Sequence, residues 1–300
     1  MPTIPPSLQP LITIDAWTFD VGVDAASAEA YAEACISRVE ESWESGADIV
    51  LLPEYTWAGL EPHLSEGGGL RGVAELFWTD LLPGLMQRLS RLDKLVVLGT
   101  APFIEPETQL MLNRAPIITN GRLISQDKLY LTPWEKAFSP GSTLRVFEFL
   151  GLRIAVLICL DIEVPELSAM LRRQNVDLIL VPSATETLMG CERVTRCASA
   201  RSVELGCAVA VAPLVGQCAS ELVDSNLGKI ACYLPSQRAF RRSDRLQEGP
   251  VHKDSFHKAR FSLARGLLTD TRAATLETNP SLIGIGSEMP RLVAESPSTD

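Results

Sequence analysis

Apolar and polar positions along the chain follow two alternating rhythms. Short, nearly unbroken apolar runs occur at 11–17 (LITIDAW), 48–53 (DIVLLP), 95–99 (LVVLG), 153–159 (RIAVLIC), 176–181 (VDLILV) and 207–212 (CAVAVA). Each reads as a buried strand. Between them lie stretches with helical spacing. In 25–45, Ala32, Ile36, Val39 and Trp43 recur at that spacing, and Gly46 stands where a helix would stop. Residues 82–92, 165–174 and 192–205 read as further helices, the last with Val194, Ala198, Arg201 and Leu205 on one side. Residues 111–119 and 122–129 predict two strands joined through Asn120-Gly121, a strong hairpin-turn signal. The segment 222–234 predicts two more strands around residues 226–228.

Apolar strands separated by helices imply an α/β fold whose sheets are covered on both sides or packed on one another. The hairpins make those sheets mixed, not purely parallel. No linker divides the chain. Residues 287–300 are polar and contain Pro and Ser, so they are expected to form a mobile tail or a partner-binding arm.

Composition narrows the function classes. Of the 300 residues, 46% are hydrophobic and 21% charged, as in ordinary soluble domains. The net charge of −10 argues against a nucleic-acid partner, which calls for a basic face. No stretch approaches a membrane-spanning length, and the N-terminus lacks a basic, apolar leader, so a cytoplasmic protein is expected. The seven cysteines are odd in number and none has CxxC spacing, so they read as reduced thiols. With three histidines and no Cys/His cluster, a zinc site is not expected.

Three residues that could carry chemistry share one placement. Glu54, Lys128 and Cys159 each sit at or just past the end of a predicted strand, where α/β folds gather active groups. A thiol is only partly ionised at neutral pH. A neighbouring carboxylate can take its proton, and an ammonium can favour the thiolate and hold a developing oxyanion. The residues alone leave plainer readings open: a core cysteine, a solvated glutamate, a surface lysine. A Cys–His hydrolase fits less well, because His63, His252 and His257 lie away from the strand ends.

The segments LLPEY (51–55), DKLYLTPWEKAFSPGS (127–142) and ICLDIEVPEL (158–167) resemble, in order and spacing, the three signature regions of the nitrilase superfamily of carbon–nitrogen hydrolases. VDLILVPSATE (176–186) and ARSVELGCAVAVAP (200–213) are similar to the strand–helix–strand unit that follows, and the resemblance covers roughly 8–235. It implies an α-β-β-α sandwich, with one hydrolase domain expected over 8–280. By matching positions, Glu54 is the implied general base, Lys128 the oxyanion stabiliser and Cys159 the nucleophile. Glu135 is the implied second glutamate; its plainer reading is an ion pair with Lys136 or an arginine. Tyr55, Leu160, Ala184, Thr185 and Glu186 are the implied substrate-binding positions, with the Leu160 N–H as a second oxyanion donor. Glu186 has its own alternative, a structural pair with Arg193 or Arg196.

The implied reaction runs through a thioester, needs no metal or organic cofactor, and acts on a small amide or carbamoyl compound. Cys159-Leu160-Asp161 is closer to the Cys-x-Asp form of amidases than to the Cys-Trp-Glu of true nitrilases; a small nitrile, or a silent binding member of the family, is the alternative. The superfamily also implies a homodimer or larger assembly through 165–173 and parts of 190–205. Two departures stand out. The Gly-x-Ser segment expected after the last core strand is poorly kept in VGQCASELVD (215–224). The stretch 185–197 resembles a branch often joined to an acetyltransferase domain, and these residues read as the hydrolase without it.

Overall fold

The computed structural model describes residues 10–64, 68–220, 222–241 and 244–273. The expected tail at 287–300 lies outside them. The strands are β1 (Leu11–Trp17), β2 (Phe19–Asp20), β3 (Ile49–Leu52), β4 (Leu95–Leu98), β5 (Ala101–Ile104), β6 (Met111–Thr119), β7 (Arg122–Asp127), β8 (Val146–Phe149), β9 (Leu152–Val156), β10 (Leu178–Ser183), β11 (Ala208–Gln217), β12 (Ser225–Asn226), β13 (Ala231–Tyr233), β14 (Leu246–Glu248) and β15 (Lys258–Ala264). The helices are α1 (Ala28–Glu44), α2 (Gly69–Glu75), α3 (Leu82–Leu89), α4 (Pro165–Arg172), α5 (Leu188–Leu205) and α6 (Arg265–Ala273).

Among the described residues the strands form two mixed sheets. One runs β15-β1-β3-β4-β6-β5, with β7 paired to β6. The other runs β14-β13-β11-β10-β9-β8, with β12 and β2 paired to β11. The sheets face one another, and this explains the unbroken apolar strands. In β1, β3 and β4, one set of alternate residues (Ile12, Ile14, Ala16, Ile49, Leu51, Leu95, Val97) joins the core shared with β9, β10 and β11. The other set (Val50, Leu52, Val96, Leu98) packs under α1 and α3 with Tyr31, Ile36, Val39 and Leu85. A strand buried on both faces has no polar side to show. On the far side, α4 and α5 cover the second sheet with Leu167, Leu171, Val194 and Ala198.

Local signals explain the element ends. The Ser27 hydroxyl accepts the Ala30 N–H at 3.2 Å and caps α1; Gly46, at φ 94°, follows its end. The β6–β7 turn has φ of 48° at Asn120 and 74° at Gly121, with Thr119 opposite Arg122. That register has a functional consequence: the Lys128 N–H donates to the Asn113 carbonyl at 2.8 Å, holding the two residues side by side just past the hairpin's paired end.

Several elements differ from the sequence expectation. β11 runs on to Gln217, α5 starts at Leu188, and the helical region before β4 begins as far back as Gly69. β5, β8 and β15 are additional strands. β15 is half polar along its length, and it forms because β1 offers it seven consecutive antiparallel partners.

Candidate active site

Both sheets contribute to one buried cluster. From the first, Glu54 follows β3, and Lys128 follows β7. From the second, Cys159 lies beyond β9, and Ala184 follows β10. The chain turns sharply at two of these points. Cys159 has φ 46° and Tyr55 φ 55°, left-handed values uncommon for side chains other than glycine and found where the surroundings over-determine the backbone. At Cys159 the turn opens a short 3-10 segment, Cys159–Glu163.

Lys128 Nζ lies 2.8 Å from Glu54 Oε1, and 2.9 and 2.8 Å from the two Glu135 oxygens. All three side chains are almost fully buried. Asn113 Nδ2 donates to Glu54 Oε1 at 2.9 Å. The Tyr55 hydroxyl donates to Glu135 Oε1, and the Thr132 N–H to Glu135 Oε2 at 2.7 Å. The other Glu54 oxygen accepts the Ala184 N–H at 3.1 Å. The Cys159 thiol donates to the Ala184 carbonyl at 3.4 Å, and the Ser183 hydroxyl lies 3.7 Å from the sulfur. Ala184 thus holds the carboxylate through its N–H and the thiol through its carbonyl, on either side of one residue.

Burial sets the electrostatics. It pushes Glu54 up to about 7, the adjacent Glu135 charge adding to the rise and Lys128 opposing it. It pushes the Cys159 thiol up to about 12, with Glu54 adding and Lys128 opposing. Burial also disfavours the Lys128 ammonium, but the negative groups around it outweigh that and hold it firmly charged. Glu135 lies below its ordinary value, because Lys128 and the hydrogen bonds it accepts overcome its burial. The resting pair is therefore a neutral thiol beside a carboxylate that titrates near neutrality, an arrangement suited to general-base activation.

Asp161 staples together the turns that follow β7 and β9. Its carboxylate accepts the N–H groups of Leu129 (3.1 Å), Tyr130 (2.8 Å) and Ile158 (3.2 Å), and so links the chain after Lys128 to the chain before Cys159. Burial raises it to about 6, against the pull of those bonds. The Cys-x-Asp spelling pointed at this residue without revealing the staple. The bridging position of Asn113 follows from the hairpin register, which sets it beside Lys128.

Every site residue anticipated from sequence lines one cavity of about 520 Å³: Glu54, Tyr55, Lys128, Glu135, Cys159, Leu160, Ala184, Thr185 and Glu186. Glu135 pairs with Lys128, not with Lys136 or an arginine. The alternative for Glu186 is corrected. Arg193 pairs with Glu163 at 3.3 Å and Arg196 with Glu192 at 3.0 Å, while Glu186 stands exposed at the cavity wall.

The sequence profile of the family described as carbon-nitrogen hydrolase matches residues 11–239, about three quarters of the chain. The chain belongs to the carbon-nitrogen hydrolase family. It is similar to Probable hydrolase YhcX of Bacillus subtilis (strain 168), 27% identical over 221 residues, which are 72% of this chain and 43% of that protein. It is also similar to an (R)-stereoselective amidase of Pseudomonas sp, 32% identical over 136 residues, 45% of this chain and 47% of that one. The chain thus spans less than half the length of these two relatives. Its fold is that of Saccharomyces cerevisiae Nit3, a member of branch 10 of the nitrilase superfamily. The TM-score is 0.67 at 17% identity, covering 89% of this chain and 94% of Nit3.

The carbon-nitrogen hydrolase cavity has parts that sequence reading did not anticipate. Trp134, Glu163, Arg193, Asp224 and Asn226 line it beside the expected residues. Asp224 and Asn226 come from 215–224 and its continuation, where the family's pattern is poorly kept, so no motif marked them. All seven cysteines are free, and among the described residues no helix is long and apolar enough to cross a membrane.

Proposed function

We propose that the protein hydrolyses a small amide or carbamoyl compound through a thioester on Cys159. Glu54 takes the thiol proton as the sulfur attacks the carbonyl carbon, and the resulting oxyanion is held by Lys128 and the Leu160 N–H. Collapse of this intermediate breaks the carbon–nitrogen bond. The leaving nitrogen receives the proton from Glu54 and departs as ammonia or an amine, leaving the thioester. Water then gives a proton to Glu54 and attacks the thioester carbonyl. The sulfur leaves, recovers that proton, and the acid is released. Glu135 holds Lys128 in place.

The observation that carries this reading is the convergence of Glu54 and Cys159 on the backbone of one residue, Ala184, with Lys128 2.8 Å from Glu54. The likeness to a relative named an amidase supports amides over nitriles. The test is an ammonia-release screen over small amides, carbamoyl amines and nitriles, with mass spectrometry of the trapped acyl-enzyme. Release from amides with the acyl group on Cys159, abolished in Cys159→Ala, is the expected result. Release from nitriles alone, or turnover that survives Cys159→Ala, removes the reading. The reading carries a homodimer or larger assembly through α4 and part of α5; a stable 32.7 kDa monomer by light scattering removes that part.

A further inference from the structure

The mouth of the catalytic cavity has carboxylates to spare. Five acidic side chains line it (Glu54, Glu135, Glu163, Glu186 and Asp224) against two cations, Lys128 and Arg193. Both cations are engaged: Lys128 deep inside with Glu54 and Glu135, Arg193 with Glu163. Glu186 and Asp224, both exposed at the wall, are the carboxylates left over.

A second feature of the same wall points to a ligand. Asn226 lines the cavity, is 6% exposed, and its side-chain Nδ2 has no hydrogen-bond partner. A buried carboxamide left unpaired is costly, and such groups are normally satisfied. The segments bearing these residues are fastened together: the Leu227 N–H donates to the Thr185 carbonyl at 2.9 Å, and the Thr185 hydroxyl to the Leu227 carbonyl at 2.7 Å. That reciprocal pair sets Glu186, next to Thr185, alongside Asn226, next to Leu227. Trp134, 81% exposed on the same cavity, offers an indole face, a surface that attracts cations.

We propose that this mouth is a subsite for an ammonium group carried by the substrate away from the scissile carbonyl, held by Glu186 and Asp224, with the Asn226 carboxamide bonding a neighbouring polar atom. The substrate class is then an amide bearing a free amine. The inference rests on the amidase reading for the position of the scissile bond.

The test pairs kinetics with binding. A series of ω-amino alkanamides is compared with neutral alkanamides of the same length. The expected preference in kcat/KM for the amines is about two- to fivefold, the scale of one partly screened charge pair. Glu186→Gln should pull that ratio toward one, chiefly through KM, and Glu186→Lys should reverse it in favour of ω-carboxy alkanamides. Calorimetric titration of Cys159→Ala with the same compounds reads the subsite without turnover. If the wild type hydrolyses no amide yet Cys159→Ala still binds the amines more tightly than the neutral compounds, the subsite stands and the amidase reading falls. Equal binding and equal kcat/KM for amine and neutral amides, or Glu186 variants that shift both alike, overturn the subsite.

Discussion

Among the described residues, two places that bury a carboxylate against a cation are built to opposite ends. On the edge of the first sheet, Asp15 of β1 faces Arg260 of β15 across the antiparallel pair. Each Asp15 oxygen accepts one guanidinium N–H at 2.7 Å, and the arginine, 35% exposed, leads the charge out to solvent. The grip is bidentate, and Lys258, 3.8 Å from Asp15 and 2.7 Å from Glu41, balances the cluster at two cations for two carboxylates. In the candidate active site one buried ammonium serves two glutamates, and all three are almost fully buried. A desolvated site with one more carboxylate than cation leaves one acid easy to protonate, and Glu54 is that acid. The difference teaches that burial of charge does not by itself mark a catalytic group. What distinguishes the site is the surplus of negative charge, the adjoining thiol and the open cavity.

Removing the shared cation should give the largest effect. Lys128→Met takes away the proposed oxyanion donor and, among the described residues, the counter-charge that pairs with Glu54 and Glu135. Activity on amides should fall by about 10²–10³-fold or more. Unfolding in denaturant at pH 8 should show a loss of about 3–5 kcal/mol, as when one partner of a buried pair is removed. Near pH 5, where the two glutamates can be protonated, the stability loss should shrink. A loss of the same size at both pH values would mean that Lys128 supports the fold through packing, and the contrast with Asp15 would fail.

How much of this could be read from the chain follows from how local each signal is. The strand ends that present Glu54 and Cys159 were legible because apolar runs and their boundaries are local features, and Asn120-Gly121 fixed the hairpin that sets Lys128 beside Asn113. The Asp15–Arg260 pair joins residues 245 apart, and half-polar β15 gains its definition from β1, so nothing near Arg260 in sequence announced it. The same holds for Asn226, brought to the cavity by the pairing of its neighbour Leu227 with Thr185 across the fold. Asp161 falls between these cases: its spacing to Cys159 was visible, its bonds to Leu129 and Tyr130 were not.

A smaller effect separates the two clusters by pH. If Glu54 must be unprotonated to accept the thiol proton, kcat/KM should rise with pH, level off above about 7, and fall about tenfold per pH unit below that value. Stability should move the other way. A carboxyl whose folded value is raised binds its proton more tightly in the native state, so from the ordinary carboxylate range up to about 7 rising pH costs stability. Asp161, raised to about 6, acts in the same direction over the lower part of that window. Glu54→Gln removes the Glu54 contribution. The Tm of this variant relative to wild type should therefore climb between pH 5 and 7 and then stay level. A difference that does not change with pH would place the Glu54 titration elsewhere.

The smallest expected effect on catalysis, none, is the sharpest check on the comparison. Asp15→Asn keeps the shape of the side chain and one acceptor oxygen, but it exchanges the second charge-assisted bond to Arg260 for an amide N–H facing the guanidinium. Because Arg260 is partly exposed and also bonds the Ser42 carbonyl and Ser45 Oγ, it can turn toward water and those partners. The cost should be about 1–3 kcal/mol of stability, visible as a lower Tm. Asp15 points away from the inter-sheet core, into the layer beneath α1, and its neighbours Ile14 and Ala16 hold β1 in place from the other face. The strand ends that carry Glu54 and Cys159 therefore have no reason to shift, and kcat/KM should match wild type. A loss of activity without a loss of stability would show that the balanced pair is coupled to the site through β1 and β3, and that the two clusters are one system.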